Sequence, residues 1–107
     1  MIDTYILVGQ TPVPEPDMER WARWMEEYRE HVALDAVGPY WISTVFLGLD
    51  HAFWPNAEPR LFETMIFGDE KNDVLDSRQW RCATWSEAEE QHARAVTACR
   101  AKIGVKG

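Results

Sequence analysis

The chain has 107 residues, 46% of them hydrophobic, and a formal charge of −7. That length suits one domain with a core of its own, needing no metal or disulfide, and the apolar content excludes a disordered chain. The acidic balance argues against binding the phosphates of nucleic acids or anionic lipid, and fits either solubility or a basic protein partner.

The compartment is read from what the chain does not carry. Cys82 and Cys99 lack zinc-ligand spacing and form no CxxC. Met1 to Tyr5 has no basic region leading into an apolar run, so no signal peptide is expected. The longest apolar-leaning run, Tyr40 to Leu49, is about half a membrane span. A reducing cytoplasm with both thiols reduced is the expectation. The six tryptophans are expected mainly in the core, with Trp54, in a loop, the best candidate for a binding surface.

In chain order, Thr4 to Val8 is β-prone and ends at Gly9. Pro12, Pro14 and Pro16 cannot donate backbone hydrogen bonds, which predicts an extended linker over Thr11 to Pro16. A helix is predicted from Pro16 or Asp17 to about Glu30, with Trp21, Trp24, Met25, Tyr28 and Val32 along one stripe. His31 to Val37 is β-compatible and stops at the turn signal Gly38-Pro39. Tyr40 to Leu47 is the strongest strand, with Ile42, Thr44 and Phe46 on one side and Trp41, Ser43, Val45 and Leu47 on the other.

Gly48 to Pro59 reads as a loop. Arg60 to Phe67 reads as a strand in which Leu61, Glu63, Met65 and Phe67 oppose Phe62, Thr64 and Ile66. Asp69 to Ser77 is a polar connection, and Gln79 to Ala83 a short strand. Thr84-Trp85-Ser86-Glu87 has the form of a capping box. It opens a helix to about Lys102, ended by Gly104, whose apolar face holds Trp85, Ala88, His92, Ala95, Val96, Cys99 and Ile103. The fold predicted is α+β: an antiparallel sheet of four to five strands with two amphipathic helices packed on it, in the order β-α-β-β-β-(β)-α.

Three features exceed what folding requires. His92 lies in the middle of an apolar stripe. It is either a core imidazole satisfied by a hydrogen bond to the sheet or a functional one in a small pocket. Leu49-Asp50-His51 follows the strongest strand, where loops often carry function, though an Asx-type turn explains it equally. Glu63 sits mid-strand: buried, it needs a cation from Arg29, Arg60 or Arg81; facing water, it needs none. His51, His92, Glu63 and Asp50 are the candidate catalytic groups, and His51, His92 and Glu63 the candidate metal ligands. Asp50, His51, Trp54, Glu63, Arg81 and His92 are the candidate binding residues. HExxH, EF-hand, GxSxG, P-loop and GxGxxG motifs are absent, and no cofactor is expected.

Trp41 to His51 with Phe53, Pro59 to Gly68 (PRLFETMIFG), and Ala83 to Ala88 with His92 together resemble a group of small bacteriophage and prophage proteins. The group shows STVFLGLDHxF, PxLFETMVFG and YxTWxEAxxxH, and the match extends over nearly the whole chain. The resemblance implies that Asp50, His51, Glu63 and His92 belong to the group's pattern, and it brings no established activity. Trp54-Pro55-Asn56 departs from a commonly Gly-rich loop, and Arg81-Cys82 stands where Tyr is frequent.

Three functions are expected from this reading. The first is a binding protein in the host cytoplasm that occupies a host or defence protein, or a small nucleotide-like ligand, without direct nucleic-acid or membrane binding and with a possible homodimer. The second is a small His/carboxylate hydrolase or metal-dependent enzyme. The third is a structural phage accessory protein with no ligand.

Overall fold

The computed structural model describes residues 3–28, 31–50, 58–68 and 75–104. Its elements run β1 (Asp3–Val8), β2 (Thr11–Pro14), α1 (Met18–Glu27), β3 (His31–Val37), β4 (Tyr40–Phe46), β5 (Leu49–Asp50), β6 (Phe62–Phe67), β7 (Gln79–Cys82) and α2 (Trp85–Ile103). The α+β class follows the alternation and capping patterns, but the strands divide between two antiparallel sheets, β2-β1-β5 and β3-β4-β6-β7.

The four-stranded sheet carries α2 on one face. Tyr40, Ile42, Thr44 and Phe46 of β4, and Phe62, Thr64 and Ile66 of β6, are buried beneath the helix. These are the faces that period-two alternation selects. Leu61, placed by that alternation beside Glu63, precedes the strand and is buried in the core instead. From α2 come Ala88, His92, Ala95 and Cys99, all buried. Three of these four are small, so the helix lies close to the sheet. Both ends of α2 are fixed by local chemistry. The Thr84 hydroxyl accepts from the Glu87 amide at 3.1 Å, and the Glu87 carboxylate accepts from the Thr84 amide at 3.2 Å. Gly104 ends the helix with φ +76°.

The proline-rich segment is not the predicted linker. Thr11–Pro14 forms an edge strand paired with β1, Pro14 opposite Tyr5 and Pro12 opposite Leu7. Alternate residues of a strand turn their backbone groups to the same side. The two prolines therefore leave the Thr11 and Val13 positions to the ladder, the arrangement in which an edge strand tolerates proline.

The sheets meet at Gly48. After Phe46 the chain bends through Leu47 and Gly48 into β5, which pairs with β1 in the other sheet. The Leu47 amide still donates to the Leu61 carbonyl at 2.6 Å, while the Gly48 carbonyl accepts from the Tyr5 amide at 2.9 Å and the Trp21 indole at 3.1 Å. Gly48 has φ +70°, and a Cβ there would lie 2.8 Å from Met25 Sδ. Only glycine satisfies both the bend and the close approach of α1.

Asp17 caps α1, accepting from the amides of Glu19 and Arg20 at 3.0 and 3.2 Å. The helix ends earlier than predicted, with Tyr28 as its C-cap. None of its residues is fully buried. It leans on β1 and the end of β4 through Trp21, Trp24 and Met25. The five described tryptophans are consequently not the core rings expected. Trp21, Trp24 and Trp85 are half-buried, while Trp41 and Trp80 are exposed.

Candidate functional site

His92 is brought inward by α2, as its place in the apolar stripe implies, and lands on a cross-strand pair of threonines. Thr44 and Thr64 face each other across β4 and β6, their hydroxyl oxygens 2.7 Å apart. The Thr44 hydroxyl lies 2.8 Å from His92 Nδ1, and His92 Nε2 lies 2.7 Å from Asp35 Oδ2.

The carboxylate can only accept, so Nε2 carries a proton. In the neutral imidazole the chain then runs one way: Thr64 donates to Thr44, Thr44 to Nδ1, and Nε2–H to Asp35. Both imidazole nitrogens are thus occupied, where the sequence suggested one hydrogen bond. Asp35 was missed. It lies two residues before buried Val37 and opposite Ile42, which turns it to the helix side of edge strand β3.

Carboxylate, imidazole and hydroxyl stand here in the order of a nucleophilic triad. The hydroxyls are at the wrong end for one: Thr44 and Thr64 are 0% exposed, whereas the Asp35 side chain is 57% exposed. The open end of the relay is the carboxylate, and no substrate reaches an Oγ1 sealed between helix and sheet. Its chemistry is that of a satisfied polar core, which fixes helix position and strand register.

Among the described residues, the other predicted ones do not join His92. Glu63 pairs with Val45 and Arg81 on the sheet face turned away from α2. The Arg81 Nε–H donates to Glu63 Oε2 at 2.8 Å, so the cation comes from the directly opposed strand. Asp50 lies in the other sheet, opposite Asp3. Burial, with the negative charges of Asp3 and Asp50, raises the Tyr5 phenol above its usual range. His51 and Trp54 lie outside the described residues. The metal set of His51, His92 and Glu63 loses its convergence, because Glu63 and His92 occupy opposite faces of one sheet. Among the described residues, no group of three His, Cys, Asp or Glu side chains is placed to hold a metal ion. Cys82 is buried and its thiol is pushed up to about 11, chiefly by burial and then by the Glu87 charge. A thiol so held is a poor nucleophile at neutral pH.

The feature that sequence reading did not locate is a cleft of about 470 Å³ where the two sheets, α1 and the start of α2 meet. Leu7, Trp24, Met25, Tyr28, Phe46 and Trp85 line it, with His31 at its edge. Val32, where the register of β3 against β4 shifts, lines it too. The aromatic rings form a chain. Trp24 is 5.5 Å from Tyr28 and stands edge-on to Phe46 at 5.9 Å; Phe46 is 5.3 Å from Phe62, which meets Trp85 edge-on at 6.1 Å. Such contacts hold the rings in fixed orientations while leaving Trp24, Tyr28 and Trp85 partly open. No Arg or Lys lines the cleft among the described residues. No described helix is long and apolar enough to cross a membrane.

No family model, curated protein or solved structure matches the chain.

Proposed function

We propose that this chain is a non-catalytic binding protein that docks on another protein by taking an aromatic or long aliphatic side chain into the cleft framed by Trp24, Tyr28 and Trp85. The cleft carries the reading. It is preorganised by rings packed tilted and edge-on, and partly exposed Trp and Tyr are the residues that most often dominate protein interfaces. Its described lining offers no cation to a phosphate, which favours a protein partner over a nucleotide-like ligand in this cleft. The charge of −7 favours a partner that is basic around its anchor residue. The likeness to phage and prophage proteins supports a host or defence protein, met in the host cytoplasm, as that partner.

The test uses a lysine-flanked peptide with one Trp, followed by two-dimensional NMR of the intact chain. Saturable shifts should concentrate on Trp24, Tyr28 and Trp85. Replacing the peptide's Trp by Gly, or its Lys by Glu, should weaken binding about tenfold or more, equivalent to about 1.4 kcal/mol. Shifts that never saturate, or that map outside the cleft, would overturn the reading.

A further inference from the structure

We infer that a second, smaller groove, between α2 and the edge strand β7, binds a small planar anion: one aromatic ring bearing a carboxylate or a phosphate. The groove holds about 250 Å³ and is bounded by Leu75, Arg78, Trp80, Gln91, Arg94 and Ala98, over Ala95. It arises from the geometry of both elements. Gln91, Arg94, Ala95 and Ala98 follow i, i+3, i+4, i+7 spacing and so form one stripe of α2. Trp80 is opposite Thr64, which places its ring on the helix side of the sheet. Because β7 is an edge with no strand beyond it, that ring stays 36% exposed.

The chemistry at the rim is complementary to a small anion. Arg94 has no ion pair among the described residues. Arg78 enters from the turn before β7 and lines the groove together with Trp80 and Arg94. Guanidinium binds carboxylate and phosphate through paired hydrogen bonds, and indole stacks on planar rings. The turn that presents Arg78 is tightly held. Ser77 donates to the Ile66 carbonyl at 2.9 Å, Arg78 to the Leu75 carbonyl at 3.3 Å, and the Asp76 carboxylate accepts from the Gly68 amide at 2.7 Å. Ser77 itself sits at φ +66°, a left-handed conformation that serine adopts at a cost.

Gln91 supplies a further polar group. Its Nε2 donates to the Arg81 carbonyl at 3.3 Å, which leaves the buried Oε1 without a donor. The volume sets the ligand's size. It falls below the usual range of roughly 300–1,000 Å³ for drug-sized ligands, so one ring with one charged group fits and a dinucleotide does not. The overall charge of −7 works in the same direction, repelling polyanions, while Arg94 offers a small anion one local positive charge.

The test is an NMR titration of the full chain, following the Trp80 indole N–H, with benzoate and phenyl phosphate as the two anions. Benzamide, phenol and inorganic phosphate are the counterparts lacking charge or ring. At least one anion should shift Trp80 saturably, and which one does identifies the carboxylate or phosphate source. The neutral ring compounds and free phosphate should bind at least tenfold more weakly. Arg94→Gln should lower the affinity about tenfold without moving the thermal midpoint. Arg100→Gln, on the side of α2 facing Asp35, should leave the affinity unchanged. The inference is overturned if neither anion shifts Trp80 saturably, if neutral rings bind as tightly as their charged partners, or if Arg94→Gln retains full affinity.

Discussion

The two helices are attached to this molecule in opposite ways. Helix α2 buries four residues against the four-stranded sheet, three of them small and the fourth a histidine whose two nitrogens are both used. Helix α1 buries none completely and meets the rest through half-open rings. Small residues and a directional polar chain leave no room and few alternative positions. Large rings packed edge to face leave gaps between them, and the cleft is such a gap. Stability is therefore concentrated beneath α2, and the surface suited to binding is concentrated around α1.

Substitutions can break that contrast, beginning with the most damaging. His92→Ala removes a buried ring and strands the Thr44 hydroxyl without its acceptor. The combined cavity and hydrogen-bond loss should cost roughly 3 kcal/mol in denaturant unfolding. Gly48→Ala acts on the α1 side. It forces a left-handed alanine, and its Cβ meets Met25 Sδ at 2.8 Å, so about 2 kcal/mol of destabilisation is expected with α1 displaced. Chemical shifts should then change along α1 while those of α2 stay put. A loss spread evenly over both helices would mean that they are not independently attached.

Smaller effects sharpen the picture. Glu63→Gln breaks the pair with Arg81 on the sheet face turned away from α2. The Arg81 side chain is 42% exposed and that of Glu63 16%, so a loss of about 1 kcal/mol is expected. A much larger loss would indicate that this face is covered in solution. Cys82 should matter least at neutral pH and only in alkali. Its thiol holds its proton more tightly folded than unfolded, with about 11 against the usual 9.0. The associated stabilisation is full below pH 9.0 and is lost as the pH rises through about 11. In Cys82→Ala the alkaline decline across that window should be shallower than in the parent.

Much of the architecture was legible because local signals agreed. The Thr84 capping box, the alternation in Tyr40 to Phe46 and the stop at Gly104 each rest on short-range chemistry, and each holds. The proline segment misled because proline's lost donor forbids a central strand but not an edge one, and only the pairing partner reveals which applies. The division into two sheets was hidden for the same reason: Gly48 reads as a loop glycine until β1 is known to pair with β5. At the site, the inward turn of His92 could be read from helical periodicity. Its partner Asp35 could not, because that contact joins residues 57 positions apart across a helix–strand interface. Glu63 was left open between burial and exposure, and pairing with Val45 and Arg81 decides its face. Neither groove has a sequence signature, since both are spaces between elements.

The separation of stability from binding is tested most directly by measuring two quantities in two variants: the thermal midpoint, and the affinity for the lysine-flanked Trp peptide. Trp24→Ala should abolish most of the affinity while lowering the midpoint only modestly, because Trp24 is half-buried. Thr44→Val should lower the midpoint through the broken link to His92 and leave the affinity intact. If Thr44→Val weakens binding as much as Trp24→Ala does, or if Trp24→Ala binds as the parent does, the cleft around α1 is not the binding surface.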